Sequence, residues 1–269
     1  MPELPEVETT LRGVSPHVKG QKVIAVCVRQ PRLRWPVPDD LQMLQGEVIE
    51  SLQRRAKYLL LNTKKGTVII HLGMSGSLRI CAQETEPGKH DHVDIVLDNS
   101  KLLRLCDPRR FGSVLWAQNV NKHPLLRNLG PEPLSEVFSA NYLYEKSRNR
   151  KVNIKSFIMN AQVVVGVGNI YASESLYMAG INPKNLAGRI SLKRYEKLVF
   201  SIKTVLSLAI EQGGTTLRDF VSADGQTGYF QLKLSVYGRT GEACPKCQTP
   251  IKQITQGQRS TYYCTVCQK

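Results

Sequence analysis

No apolar run in this 269-residue chain approaches the roughly 20 residues of a membrane span. The first residues carry acids at positions 3, 6 and 8 instead of the basic stretch that begins a secretory signal. Together these absences predict a soluble intracellular protein. Acidic residues are themselves scarce: 22 Asp and Glu stand against 37 Lys and Arg, a formal charge of +15. A surplus of that size points to a polyanionic partner. Nucleic acid comes ahead of an anionic membrane, because no basic amphipathic helix stands out. Internal repeats and low-complexity tracts are also missing, and the length suits two domains plus a small module.

Cysteine is sparse over most of the chain. Cys27, Cys81 and Cys106 lie singly in apolar stretches and are expected to be reduced core residues. The other four crowd the C-terminus as CPKC (244–247) and CTVC (264–267), a C-x₂-C-x₁₆-C-x₂-C spacing that fits a four-thiolate zinc site. Two disulfides would use the same four residues, but zinc is favoured in an intracellular chain with three further lone thiols. Four protein ligands leave no open position, so such a zinc is structural. QGQRSTYY between the knuckles then forms a hairpin tip with Arg259 exposed on it.

The hydrophobic pattern changes period along the chain. From about 21 to 117, short aliphatic segments (KVIAVCV, YLLLNT, TVIIHL, VDIVL, LLRLC, SVLWA) alternate with turn signals such as TKKG and DNSK. This predicts an antiparallel sandwich or barrel packed against an N-terminal helix, on which Val7, Leu11, Val14 and Val18 form one face. QNVNKHPLLRNLGPEPLS, with three prolines, reads as a linker. Helical segments follow: SEVFSANYLYEKSRN, NIYASESLYMAG ending at Gly180, and 191–212, capped by Ser191, with Leu198, Val199, Ile202, Val205, Leu206, Ala209 and Ile210 on one face, and stopped by Gly213-Gly214. Residues 215–235 have the polar, glycine-containing composition of a mobile loop.

Three local motifs admit two readings each. VVVGVGNIYA is either a phosphate-binding turn, with Asn169 opening a helix, or a plain tight turn; it lacks the third glycine of a dinucleotide fingerprint. DPRRFG places two arginines and Phe111 on a loop, either as a wedge for a base stack or as a buried ring with solvated arginines. Met74, in HLGMSGSLR, is core or a second wedge, and this stretch reads as turn-like. His90 and His92 have no cysteine or third histidine nearby, which leaves phosphate contact or strand-edge placement. At the N-terminus, Pro5, Glu6 and Glu8 suit a first helical turn, but Pro2 and Glu3 are left without a role.

In their order along the chain, PELPEVET, RRAKYLL, HLGMSGSLR, KHDHVD, DPRRFG, LGPEPLS, GVGNIYASE and the four-cysteine ribbon resemble the formamidopyrimidine-DNA glycosylases over essentially the whole length. The resemblance implies an α+β multidomain fold. Residues 1–117 would form the N-terminal helix and two-layer antiparallel β-sandwich, and 118–134 a linker. Residues 135–234 would hold a helix–two-turn–helix domain with a lesion-recognition loop, and 235–269 a zinc-ribbon hairpin. It also implies a DNA repair enzyme, glycosylase and abasic-site lyase, that removes 8-oxoguanine and formamidopyrimidines from duplex DNA and nicks the strand. Pro2 would be the nucleophile, Glu3 the general acid, Lys57 the residue of β-elimination and Arg259 that of δ-elimination. His71, His90, Arg109, Arg150, Asn169 and Tyr237 would bind DNA, though which side chain of the RNRK cluster at 148–151 does so stays open. Met74, Arg109 and Phe111 would fill the void left by the flipped base. Glu174 and the 215–227 loop would shape the lesion pocket, and Cys244, Cys247, Cys264 and Cys267 would hold one zinc ion. The expected partner is double-stranded DNA with oxidised purines or abasic sites, without membrane, for a cytoplasmic, nucleoid-associated monomer. PELPEVET, KHDHVD and the long 215–227 loop favour this group over the sister endonuclease VIII group, which shares Pro2-Glu3 but prefers oxidised pyrimidines.

Overall fold

The computed structural model describes residues 2–213 and 234–269. The chain packs as two units. One runs through Arg127; the other comprises Asn128–Gln212 together with the described residues from 234 onward.

The first unit opens with helix α1 (Leu4–Val18). Pro5 lies in its first turn, where a missing N–H leaves no intrahelical bond unmade. Glu3 is the N-cap: its carboxylate accepts the Glu6 amide while Glu6 Oε2 accepts the Glu3 N–H at 2.8 Å, a reciprocal capping box built from two glutamates. Leu4, Val7, Val14 and Val18 are buried, and Leu11 packs against the same core.

Eight strands follow in two antiparallel four-stranded sheets. One has the order β1 (Val23–Val28), β6 (Asp91–Leu97), β7 (Lys101–Cys106), β5 (Ser77–Ala82). The other runs β2 (Ser51–Arg55), β3 (Tyr58–Asn62), β4 (Thr67–His71), β8 (Ser113–Ala117). Their inner faces share a core with α1, in which Leu59, Leu61, Val68, Ile70, Ile95, Leu97, Leu103 and Leu105 are almost completely buried.

Two of these strands lack the expected apolar signal. In β2 (SLQRR) no residue is fully buried, so this edge strand carries no clear alternation. In β5 only Ser77 and Leu78 are buried, and the segment read as turn-like is a strand from Ser77 onward. The lone cysteines also require a correction. Cys27 is exposed, and Cys81 and Cys106 are only half-buried. A bulge between Val23 and Ala25 shifts the pairing of β1, so Val26 takes the core-facing position and Cys27 faces outward.

The second unit holds α2 (Ala140–Ser147), α3 (Ile154–Ile158), α4 (Asn169–Met178) and α5 (Leu192–Glu211). Leu198, Val199, Ile202, Val205, Leu206, Ala209 and Ile210 make the buried face of α5. Ser191 sits at its N-cap, but its hydroxyl makes no capping bond; its carbonyl accepts the amides of Arg194 at 3.1 Å and Tyr195 at 3.0 Å. Gly213 has φ +80° and ends the described part of this segment; Gly214 and the 215–227 loop lie outside the described residues. Strands β9 (Lys252–Gln256) and β10 (Arg259–Tyr263) form the C-terminal hairpin. Its two-residue turn, Gly257-Gln258, has φ of +53° and +60°, the backbone of a type I′ turn. Among the described residues no helix is long and apolar enough to cross a membrane.

Candidate active site and nucleic-acid interface

In the first unit, Pro2 and Glu3 are buried immediately before α1, and Glu3 is only 2% exposed. A helix start tolerates a buried carboxylate because its unpaired amides donate to it. Lys57 occupies the two-residue turn of the β2–β3 hairpin, after Ala56, whose φ is +55°. Arg54 braces that turn from below. Its Nη1 donates to the Ala56 carbonyl and its Nε to Glu8 Oε2, both at 2.9 Å, which ties the lysine's turn to helix α1.

His71 closes β4 with its ring against Tyr58, centroids 5.0 Å apart. Its Nδ1 accepts the Gly73 N–H at 2.9 Å. Burial, with Lys57 and Arg34 adding positive charge nearby, lowers its pKa from 6.5 to about 4. The ring is therefore neutral near pH 7, and with Nδ1 accepting, its proton lies on Nε2, available to an outside acceptor.

The three wedge residues come together at one edge of the sandwich. Met74, Arg109 and Phe111 are exposed, and the Arg109 guanidinium lies 4.9 Å from the Phe111 ring centroid. The loops that carry them are in backbone contact. Gly73 has φ +67°, and a Cβ there would sit 2.4 Å from the Phe111 carbonyl carbon. His90 is exposed at the end of the neighbouring loop; His92 is buried, its Nε2 donating to the Asp107 carbonyl at 2.8 Å.

In the second unit, the turn before α4 brings Asn169 to the C-terminal hairpin. Its Nδ2 donates to the Ser260 carbonyl at 3.0 Å, next to the exposed Arg259. Lys155 organises this junction, which sequence reasoning missed. It is wholly buried, and its ammonium donates to Asn169 Oδ1 (2.6 Å), the Ser260 carbonyl (2.9 Å) and Thr261 Oγ1 (2.8 Å). The only signal was a lysine inside an apolar helix, NIKSFI.

Glu174 lines a cavity of about 220 Å³ together with Tyr171, Tyr177, Leu208 and Lys246. Its carboxylate is engaged by backbone: Oε1 accepts the amides of Val236 and Tyr237 at 2.9 Å, and Oε2 that of Ser235 at 2.8 Å. It thereby anchors Tyr237, whose ring meets Tyr262 edge-on at 4.9 Å. Within the RNRK cluster, Arg148 is occupied internally. It stacks on Tyr144 at 3.9 Å and donates to the carbonyls of Tyr144 and Ile190, both at 2.9 Å, whereas Arg150 and Lys151 are exposed.

The four cysteine sulfurs of the ribbon all lie within 4.8 Å of one another. Two pairs are 3.9 Å and 3.4 Å apart, too far for disulfides and close to the edge of about 3.8 Å of a tetrahedron with Zn–S bonds of about 2.3 Å. Backbone amides of Lys246 and Cys267 point at Cys244 and Cys264 Sγ at 3.5 and 3.4 Å, and the Tyr177 hydroxyl lies 3.2 Å from Cys244 Sγ. Donors of this kind orient thiolates for a cation. The set fits one structural zinc ion.

Three family patterns match the chain: the formamidopyrimidine-DNA glycosylase N-terminal domain over residues 1–114, its H2TH domain over 129–221, and a zinc finger found in FPG and IleRS over 241–269. Proteins named formamidopyrimidine-DNA glycosylase from Thioalkalivibrio sulfidiphilus and Cellvibrio japonicus are each 58% identical, with both chains covered completely. Among solved structures, the Thermus thermophilus MutM (FPG) protein superposes with a TM-score of 0.89 at 35% identity, covering 99% of this chain and 98% of its own. The Lactococcus lactis Fpg in complex with DNA containing an abasic site gives 0.91 at 35% identity and 99% of both chains. A Lactococcus lactis FPG mutant in complex with DNA containing Fapy-dG gives 0.91 at 34% identity and 100% of both.

Proposed function

Because the chain belongs to the formamidopyrimidine-DNA glycosylases, we propose that it excises 8-oxoguanine and formamidopyrimidines from duplex DNA in base excision repair and cleaves the strand by β,δ-elimination. The observation that carries the chemistry is the pairing of Pro2 with a buried acid at the first turn of α1. A small second residue generally lets the initiator Met1 be removed, which leaves Pro2 a terminal amine; such an amine titrates near about 8 against about 10.4 for lysine, so more of it is a free nucleophile at neutral pH. Pro2 attacks C1′, the bond from C1′ to the damaged base breaks, and Glu3 gives its proton to the opening sugar ring. Ring opening leaves an iminium between Pro2 and C1′. That cation acidifies the C2′ proton, whose removal expels the 3′ phosphate; Lys57 serves this β-elimination, and Arg259 the second loss of phosphate.

Around this chemistry, His71, His90, Arg150, Asn169 and Tyr237 grip the DNA, and Met74, Arg109 and Phe111 replace the flipped base. Glu174 shapes the lesion pocket through the 235–237 turn that its carboxylate holds. The division read from sequence, with a catalytic sandwich, a helical domain and a zinc finger, follows the same reading, as does a monomer in the cytoplasm acting at the nucleoid.

Borohydride trapping on an 8-oxoguanine duplex tests the mechanism. The adduct should map to Pro2 by mass spectrometry, and a chain that retains Met1 or an N-terminal tag should bind the duplex without forming it, because an amide nitrogen has no available lone pair. Trapping on Lys57, or full excision by the tagged protein, would overturn it. A competition with a thymine-glycol duplex should favour 8-oxoguanine; the opposite preference would place the chain with the pyrimidine-specific sister group.

A further inference from the structure

Asp107 is completely buried, although Pro108, Arg109, Arg110 and Phe111 after it are all exposed. A carboxylate withdrawn from water costs several kcal/mol unless something compensates it. Among the described residues no Lys, Arg or His forms an ion pair with Asp107; its carboxylate is held by one backbone amide and one hydroxyl. Oδ2 accepts the Gly112 N–H at 2.7 Å, and Oδ1 accepts the Ser75 hydroxyl at 3.1 Å. Its own N–H donates to the His90 carbonyl at 2.9 Å, and its carbonyl accepts His92 Nε2 at 2.8 Å and the Arg110 N–H at 3.1 Å. Five hydrogen bonds thus converge on this one buried residue, two on its side chain and three on its backbone.

Those partners belong to three loops. Ser75 adjoins Met74, Gly112 adjoins Phe111, and His90 ends the third. Gly73 and Gly112 let the first two loops interlock; a Cβ on Gly112 would lie 2.8 Å from the His71 carbonyl and 3.0 Å from Asp107 Oδ2. Within the second loop Arg110 is held at φ +56°, a left-handed conformation unfavourable for a residue with a Cβ. The bonds at Gly112 and Arg110 span this residue's loop on both sides of Phe111.

Resting on the reading of Met74, Arg109 and Phe111 as the base-stack wedge, we propose that Asp107 is the positioning residue that fixes those three side chains and His90 as one preset unit. Pre-setting matters because a wedge must enter the stack as the base leaves, and a loop ordered only at that moment would give back binding energy. Arg109 can then discriminate the base opposite the lesion only while its loop is held.

The test compares Asp107→Ala, Asp107→Asn and Ser75→Ala with Arg109→Ala in the full-length, zinc-loaded protein. Single-turnover excision of 8-oxoguanine is measured opposite cytosine and opposite adenine, and cleavage at a preformed abasic site is measured alongside. Asp107→Ala should cut the cytosine-over-adenine preference about tenfold, the low end for losing two buried hydrogen bonds, with cleavage at the abasic site much less affected. Asp107→Asn should keep the preference within about twofold, since its oxygen can take the Gly112 N–H and its amide can donate to Ser75 Oγ. Ser75→Ala keeps Asp107 in place and removes one bond, so a smaller loss in the same direction tests the idea even if the alanine variant at 107 does not fold. If Arg109→Ala loses the preference while Asp107→Ala and Ser75→Ala keep it, the inference falls and the wedge stands. If Arg109→Ala itself keeps it, the wedge reading falls and takes the inference with it. Equal losses on all substrates, or an asparagine variant as damaged as the alanine one, would make Asp107 a structural residue only.

Discussion

His71 illustrates how a single side chain acquires its role from its neighbours. An exposed imidazole titrates near 6.5 and would carry charge in acidic buffers, whereas burial first, and the Lys57 and Arg34 charges second, hold this one neutral down to about pH 4. The folded pKa lies below the unfolded value, so the neutral ring supports the native state above about pH 6.5. That support is lost as pH falls through the window from 6.5 to 4, because the unfolded chain takes up a proton that the folded chain refuses. An NMR titration of the His71 ring should show the Nε2–H tautomer unchanged at pH 5.5, and a midpoint near 6.5 would contradict the environment described. His71→Asn should also flatten the acid limb of stability, checked by denaturant midpoints between pH 7 and pH 4.5. In the sequence Pro2 and Glu3 have no local role, and only the order of motifs along the chain suggests one. The glutamate pair that caps α1 is not legible there either, since the usual signature calls for Ser or Thr at the cap.

At the scale of elements, the ribbon is the case where local spacing decides most. Tyr177, Val236, Ile251 and the buried sulfurs of Cys244 and Cys264 are its main core, too little to hold a hairpin without the metal. Cys247→Ser should therefore release zinc and weaken binding to every duplex, because Arg259 and the Ser260 carbonyl that holds Asn169 both ride on β10. The sandwich, with its separate core, should keep its far-UV signal. Metal analysis with fluorescence anisotropy checks this, and full DNA affinity in a zinc-free protein would count against it. Helix α5 was equally legible, since seven apolar residues at helical spacing all reached the interior. Strands β2 and β5 were not: β2 takes its place at a sheet edge by pairing with β3 from Ser51–Asn62 to Arg55–Tyr58, and no hydrophobic alternation announces it.

Over the whole molecule, the charge of +15 favours contact with phosphates, and each phosphate neutralised makes DNA binding more sensitive to salt. Removing one phosphate-bound cation should reduce the slope of log K against log salt by about 0.9. Arg150→Ala should show that reduction, whereas Asn169→Ala should lower affinity with the slope unchanged, since its amide displaces no counter-ion. Filter binding from about 50 to 200 mM salt separates the two, and identical slopes in both variants would mean that Arg150 binds no phosphate. The sequence by itself determined the zinc ligands, the sandwich strands with strong apolar cores, the buried face of α5 and the order of motifs that identifies the family. Each of these depends on residues close in the chain or on periodicity along it. Only the tertiary structure decided that Cys27 faces outward, that Arg148 is occupied and Arg150 exposed, that Lys155 ties α3 and α4 to β10, and that Asp107 joins distant loops. Lys155 reaches Ser260 across 105 positions and Asp107 reaches Ser75 across 32. Bonds of that span leave no periodic trace, because their partners meet only after the sheets and helices have packed.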